Sequence, residues 1–252
     1  MLNILLDAGE ILRDGYFGKK EIQKKGSVDL VTEYDLKIEA FLKEKLTQKY
    51  PRFEFVGEES YTGQIPQRAI LVDPIDGTTN FVHHIAYTCI SVAIWEDGRP
   101  VEGAIYNPIL GEYFYAKNGE GAFLNGERIK VSDTQKLIDA LLATGFPYTK
   151  TQKGADFRFV IESLERLLPK SRDIRRLGSA AIDLAYVACS RFAGFYEVNL
   201  MPWDVAAGIL LVQEAGGEVT NHKGEPYRFG DIIVASNGTI HDELVKNLGE
   251  WR

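Results

Sequence analysis

Cysteine is scarce, with only Cys89 and Cys189 in 252 residues. They lie far apart in apolar stretches, without the close-spaced partners of a zinc site or a disulfide framework, so two buried, reduced thiols are expected. Long hydrophobic runs are missing as well, and nothing approaches the roughly 20 apolar residues that span a bilayer. The stretch Met1–Phe17 is broken by Asp7, Glu10 and Arg13 and lacks the basic start and small-residue cleavage site of a signal peptide. A cytoplasmic location with no membrane partner is the expectation. Positive charge is in deficit, 29 Lys and Arg against 36 Asp and Glu, a net −7. That balance, with no basic patch interleaved with aromatics, argues against nucleic acid as a partner. It also means that any anionic substrate needs a cation between it and the protein.

What remains is an ordinary core-forming mixture, 45% hydrophobic and 26% charged. Leu2, Leu5, Leu6, Leu12 and Tyr16 have helical spacing. A polar turn is expected around Lys24, Lys25, Gly26 and Ser27. A second helix is expected from Glu33 to Lys49, with Tyr34, Ile38, Phe41, Leu42 and Leu46 on its apolar face and Pro51 as its stop. Short β-type runs follow at Phe53–Val56, Ala69–Val72, Cys89–Trp95, Val101–Tyr106 and Glu112–Ala116, then a hairpin turning at Asn125-Gly126. Beyond it, helices are expected at Ser163–Leu168, Ser179–Ser190 and Trp203–Ala215. Strands are expected at Phe192–Glu197, Glu218–Thr220 and Ile232–Ala235. A last helix begins near Thr239, where Thr239 and Asp242 have capping-box spacing. No linker or repeat divides the chain. The expectation is one unit over 1–252 with two lobes, about 1–140 and 141–252, built as layered sheets with helices between and outside them.

Four acidic stations stand out. In Ile70-Leu71-Val72-Asp73-Pro74-Ile75-Asp76-Gly77-Thr78-Thr79 an apolar strand ends in an acid, Pro74 stops the ladder, and a second acid follows. Two carboxylates across such a turn, with the Ile75 carbonyl, can converge on a hard cation, and the amides of Gly77, Thr78 and Thr79 can face a phosphate. An ordinary Asx-rich turn is the alternative reading. The acids are wrongly spaced for an EF-hand, and the Asp-x-Asp of aspartyl-phosphate phosphatases is absent. Glu58 and Glu59 follow another short β run. Asp204, after Pro202, fits a helix's first turn, which favours a carboxylate. Asp35 is expected on the side of the second helix away from its apolar stripe, facing solvent. His83 and His84 are expected in packing or supporting positions, since a hard cation prefers oxygen.

Taken in order, Lys25…Asp29-Leu30-Val31-Thr32…Asp35, Gly57-Glu58-Glu59-Ser60, Asp73–His83 and Trp203-Asp204-Val205-Ala206-Ala207-Gly208 resemble the inositol monophosphatase family. Gly119–Gly126, Gly178-Ser179-Ala180-Ala181 and Glu214-Ala215-Gly216-Gly217 extend the resemblance from about Leu12 to Asn237. It implies a layered α/β (α+β) sandwich of αβαβα layers with mixed, largely antiparallel sheets, commonly dimeric, Mg²⁺-dependent and typically Li⁺-sensitive. By that resemblance Glu58, Asp73 and the Ile75 carbonyl hold one ion, and Asp73, Asp76 and Asp204 a second. A third, weaker ion rests on Glu58 and water. Gly77 and Thr78 receive the phosphate, Thr78 with Asp35 or Glu58 orients the attacking water, and Lys25 lies on a loop near the site. Gly178, Ser179, Ala180 and Glu197 contact substrate hydroxyls. The expected reaction is hydrolysis of inositol 1-phosphate. The alternatives are a fructose 1,6-bisphosphatase or dual-specificity sugar phosphatase, with Arg175 and Arg176 pairing with a second phosphate, a nucleotide 3′-phosphatase, or a regulatory protein-binding role.

Overall fold

The computed structural model describes residues 1–25 and 29–251, leaving out the side chains of residues 23–25 and 29. The Lys25 side chain and the turn at Gly26 and Ser27 therefore lie outside the described residues. Lys24 and Lys25 are not turn residues: they end strand β1 (Ile22–Lys25), which pairs antiparallel with β2 (Asp29–Thr32).

Two helices open the chain, α1 (Leu2–Phe17) and α2 (Glu33–Lys49). They cover one face of a seven-stranded sheet, burying Leu5, Leu12, Ile38, Leu42 and Leu46 against Ile70, Val72, Ile90 and Val92. The sheet runs in spatial order through β3 (Glu54–Gly57), β4 (Arg68–Asp76), β5 (Cys89–Glu96), β6 (Arg99–Asn107), β7 (Glu112–Lys117), β8 (Gly121–Leu124) and β9 (Glu127–Ile129). Only the β3–β4 pair is parallel. Asn125 and Gly126 both have positive φ, 51° and 86°, as the tight β8–β9 turn requires. β4 is apolar without alternation because both its faces are covered: Ile70 and Val72 pack under α1 and α2, while Ala69 and Leu71 face the next layer.

That next layer is a pair of helices, α5 (Ala180–Ala188) and α6 (Pro202–Glu214), sandwiched between the two sheets. Both are apolar around nearly their whole circumference, the pattern of a helix buried on every side. The second sheet has the order β11 (Asp173–Arg175), β10 (Leu141–Thr144), β12 (Gly194–Glu197), β14 (Ile233–Ser236) and β13 (Glu218–Asn221). It is parallel on the β10 side and antiparallel through β14. The remaining long helix, α4 (Ala155–Leu167), and α7 (His241–Lys246) close its outer face with Phe159, Val160, Leu167 and Leu244. Full burial of each such side chain contributes about 1.5–3 kcal/mol. The layers are αβαβα, as expected.

Further expectations need correction. Asp35 does not face solvent: it is only 1% exposed, on the buried stripe shared with Ile38, Leu42 and Leu46. Pro74 does not end its strand, because β4 resumes to Asp76 after a bulge in which Asp73 pairs with Ser91 and Asp76 with Cys89. The helix expected at Ser163 begins at Ala155. α7 has no Thr239 side-chain cap, and Asn237 Oδ1 takes the Ile240 N–H instead. Cys89 is buried as expected, while Cys189 is partly exposed.

Candidate active site

The β4 bulge is what brings the acids together. It turns Asp73 and Asp76 toward the same side at the end of the strand, into a cleft of about 280 Å³. Glu58, Ile75, Gly77, Thr78 and Thr79 line the cleft from the first sheet's side. Gly178 and Ala180 at the start of α5, Asp204 in the first turn of α6 and Glu197 at the end of β12 also line it. Gly77 caps the short helix α3 (Thr78–Val82) in a left-handed conformation, φ 85°, and a Cβ there would lie 2.9 Å from the Tyr87 carbonyl oxygen. Gly145 serves a neighbouring wall, since any Cβ on it would overlap the Glu197 carboxylate.

Each of three acids is anchored through one oxygen, which sets the direction of the other. Asp73 Oδ1 accepts from the Ile75 N–H at 3.0 Å. Asp76 Oδ2 accepts from Ser179 Oγ at 2.6 Å and the Ala181 N–H at 2.7 Å. Asp204 Oδ2 accepts from the Met201 N–H at 2.7 Å, the N-terminal carboxylate of α6 reaching back one turn. The Ser179 hydroxyl thus holds Asp76 in place. Thr78 Oγ1 donates to the Ile75 carbonyl at 2.9 Å and lies 3.5 Å from Asp35 Oδ1. Asp35 Oδ2 is fixed by the Thr32 N–H at 2.7 Å and the Thr32 hydroxyl at 2.6 Å. His83 and His84 are exposed and line no part of the cleft.

Crowding acids in a desolvated cleft raises their pKa values. Asp73 is held well above the ordinary carboxylate range, first by burial and then by Glu58, Asp76 and Asp204. Asp204 shifts the same way through burial, Asp76 and Glu58. Burial pushes Asp76 up to about 6 against the pull of its Ser179 and Ala181 hydrogen bonds. Asp35 is also pushed up to about 6, by burial, opposed by Thr32. Glu197 is raised by burial and Asp183 and eased by Arg176. Among the described residues no three acidic, histidine or cysteine side chains are grouped closely enough to cage an ion as they stand. Nevertheless, four acids and a backbone carbonyl share one cleft, an all-oxygen set that suits a hard dication. Two dications would cancel four carboxylate charges, which fits the electrostatic strain these acids carry.

Arg176 also lines the cleft, whereas Arg175 pairs with Asp173 at 2.5 Å on the surface. Phe146, Tyr148, Lys150 and Leu200 complete the wall, and sequence reasoning missed all four. Tyr148 and Lys150 belong to an irregular 3₁₀ segment, Tyr148–Gln152, with neither periodicity nor motif. Among the described residues no helix is long and apolar enough to cross a membrane.

Residues 2–251 match the model of the inositol monophosphatase family. The chain is 40% identical over 250 residues to inositol monophosphatase 3 of Solanum lycopersicum, covering 96% of this chain and 92% of that one. It is 37% identical over 246 residues to the Nus factor SuhB of Salmonella typhimurium (strain LT2), covering 96% and 91%. Among solved structures it superposes on the Thermotoga maritima IMPase with a TM-score of 0.88 and 36% identity, over 97% of this chain and 92% of that one. Layered fold, acid-lined cleft and relatives together define a phosphoric monoester hydrolase. The chain belongs to the inositol monophosphatase family.

Proposed function

We propose that the protein hydrolyses inositol 1-phosphate to inositol and phosphate, with two or three Mg²⁺ ions held by Glu58, Asp73, the Ile75 carbonyl, Asp76 and Asp204. The observation that carries this reading is the β4 bulge, which turns two acids of one strand into a cleft already bordered by Glu58 and Asp204. Mg²⁺ is the ion the family generally uses, and when bound it neutralises the phosphate and makes water a better nucleophile. Asp73, central among the acids, would contribute to holding both ions.

The chain's own groups do the rest. The Gly77 and Thr78 amides, at the start of α3, receive the phosphate oxygens, with Thr79 beside them. Thr78 Oγ1 lies 2.9 Å from the Ile75 carbonyl and 3.5 Å from Asp35 Oδ1, so its hydroxyl can turn its own hydrogen to Asp35 as it takes a proton from the attacking water. Asp35, its carboxylate oriented by Thr32, stands behind Thr78 and takes up the developing positive charge. Burial raises its pKa, against the pull of the Thr32 hydrogen bonds, which favours it as a proton acceptor. Glu197 accepts from hydroxyls of the leaving alcohol, and Gly178 and Ala180 offer backbone where a bulkier wall would exclude a ring. Residues 1–140 thus supply most of the metal and phosphate side, and residues 141–252 the substrate side.

The presence of Arg176 in the cleft favours a second reading, cleavage of fructose 1,6-bisphosphate with its other phosphate on Arg176. The two separate in one experiment: phosphate release from inositol 1-phosphate and fructose 1,6-bisphosphate, side by side, with Mg²⁺ and then with Li⁺ added. Faster release from inositol 1-phosphate, suppressed by Li⁺, is expected. Release from the bisphosphate alone would transfer the assignment to the second reading, and release from neither would overturn both.

A further inference from the structure

Asp156 lies outside the cleft, in the first turn of α4, where an acid needs no explanation beyond the helix dipole. Its hydrogen bonds ask for more. Oδ2 accepts from Thr149 Oγ1 at 3.0 Å and from Asn199 Nδ2 at 2.5 Å, and Oδ1 accepts from Trp251 Nε1 at 2.9 Å. The three donors come from three separate stretches of chain. Thr149 sits between Tyr148 and Lys150, which line the cleft. Asn199 sits between Glu197 and Leu200, which line the cleft beside them. A single carboxylate oxygen therefore ties two stretches of the cleft wall to each other.

Lys153, which ends the Tyr148–Gln152 segment, has φ 49°, a left-handed conformation that lysine seldom adopts, and Asn199 has φ 59°, one that asparagine adopts readily. The third donor anchors the arrangement to the scaffold. The C-terminal segment lies along α4, with the Gly249 N–H donating to Ser163 Oγ at 2.8 Å and Arg166 Nη1 donating to the Leu248 carbonyl at 2.7 Å. That course brings Trp251 to Asp156. Burial alone would raise the Asp156 pKa, but the Trp251, Asn199 and Thr149 hydrogen bonds outweigh it and hold the group below the usual carboxylate range. It is charged at neutral pH, and hydrogen bonds to a charged acceptor are the stronger kind.

We propose that Asp156 is a positioning residue for the leaving-group side of the cleft, fixing Tyr148 and Lys150 against Leu200 so that they meet the alcohol portion of the ester. The phosphate end is held by other elements, on the first sheet. The inference rests on the reading that the Phe146–Leu200 wall holds the leaving group. Its consequence is a specificity effect that depends on the size of the alcohol.

The test compares wild type, Asp156→Ala and Trp251→Phe on inositol 1-phosphate and on glycerol 2-phosphate, whose alcohol is shorter. Asp156→Ala is expected to raise KM for inositol 1-phosphate about five- to tenfold, leaving kcat and the glycerol 2-phosphate KM within about twofold. Trp251→Phe keeps the carboxylate and removes one donor, so a rise of about three- to fourfold in the inositol 1-phosphate KM alone is expected; it decides the matter if Asp156→Ala does not fold. An unchanged KM, an equal rise for both substrates, or a loss confined to kcat would overturn the proposal in favour of simple helix stabilisation. A wild type that hydrolyses neither ester would contradict the function proposed above, and the NMR signal of the Asn199 side-chain amide then decides the positional claim. That signal is expected to move in Trp251→Phe through the shared carboxylate, and its constancy would refute the tie.

Discussion

Asp73→Asn is expected to lose turnover by at least 10²–10³-fold, about the loss seen when one well-placed electrostatic group is removed, and to keep its fold. Asp73 is 3% exposed and sits among Glu58, Asp76 and Asp204, so in the metal-free protein its charge is a liability to the fold. Asn has the same shape and its Oδ1 can still accept the Ile75 N–H. The substitution removes charge without opening a cavity. Melting temperatures of the two proteins, both stripped of metal, should therefore show the variant no lower than wild type. Substantial retained turnover would contradict the bridging role. A clearly lower metal-free melting temperature would show instead that the acid serves the core.

The second large effect is an inverted pH dependence of stability. Asp35 and Asp76 are pushed up to about 6, and Asp73, Asp204 and Glu197 shift in the same direction. The folded state therefore binds more protons than the unfolded chain between about pH 4 and the raised values. These five acids lower stability as pH rises through that window, opposed by His222 and His241, whose pKa values burial lowers. Asp76 alone, moved from 3.8 to about 6, corresponds to on the order of 3 kcal/mol. Metal-free protein is expected to melt several degrees higher at pH 5 than at pH 7.5. Mg²⁺ should reverse the order, because it binds the deprotonated acids and loses them to protons as the pH falls. Turnover at fixed Mg²⁺ should decline in acid for the same reason. Metal-free stability that rises from pH 5 to 7.5 would contradict the clustering of these charges.

The legible parts of the site were those whose signal is local. Asp73, Pro74, Ile75, Asp76, Gly77, Thr78 and Thr79 point to converging acids and a helix start within ten residues, while the bulge that carries β4 past Pro74 is not legible there; the structure assembles them at one end of the cleft. Glu58 and Asp204 each end or open an element, so a layered fold could bring them to the same edge. Asp35 was misread because its helix buries acids: Asp35, Ile38, Glu39, Leu42 and Leu46 form the covered stripe, and a pattern sought only in apolar residues skips two of the five. The cost of burying Asp35 is offset by Thr32, a partner three residues away that a helical-wheel argument does not see. β10 and β11 are not legible because Leu141, Leu142 and Ala143 suit a helix as well as a strand and β11 is only three residues long, whereas β12 and β14, as short as β10, carry aromatic or β-branched residues. The Tyr148–Gln152 segment and Arg176 carry no motif. Their relation to the cleft exists only after the second sheet has packed on α5 and α6.

The net −7 charge and the anionic substrate are reconciled at one place, the acid-lined end of the cleft. Crystals soaked in Mn²⁺, a stand-in for Mg²⁺ that scatters anomalously, test this most directly. Anomalous peaks should fall between Asp73, Asp76 and Asp204 and between Glu58, Asp73 and the Ile75 carbonyl, with Asp73 common to both. Peaks that avoid these side chains, in crystals that take up the ion elsewhere, would contradict the assignment at its root.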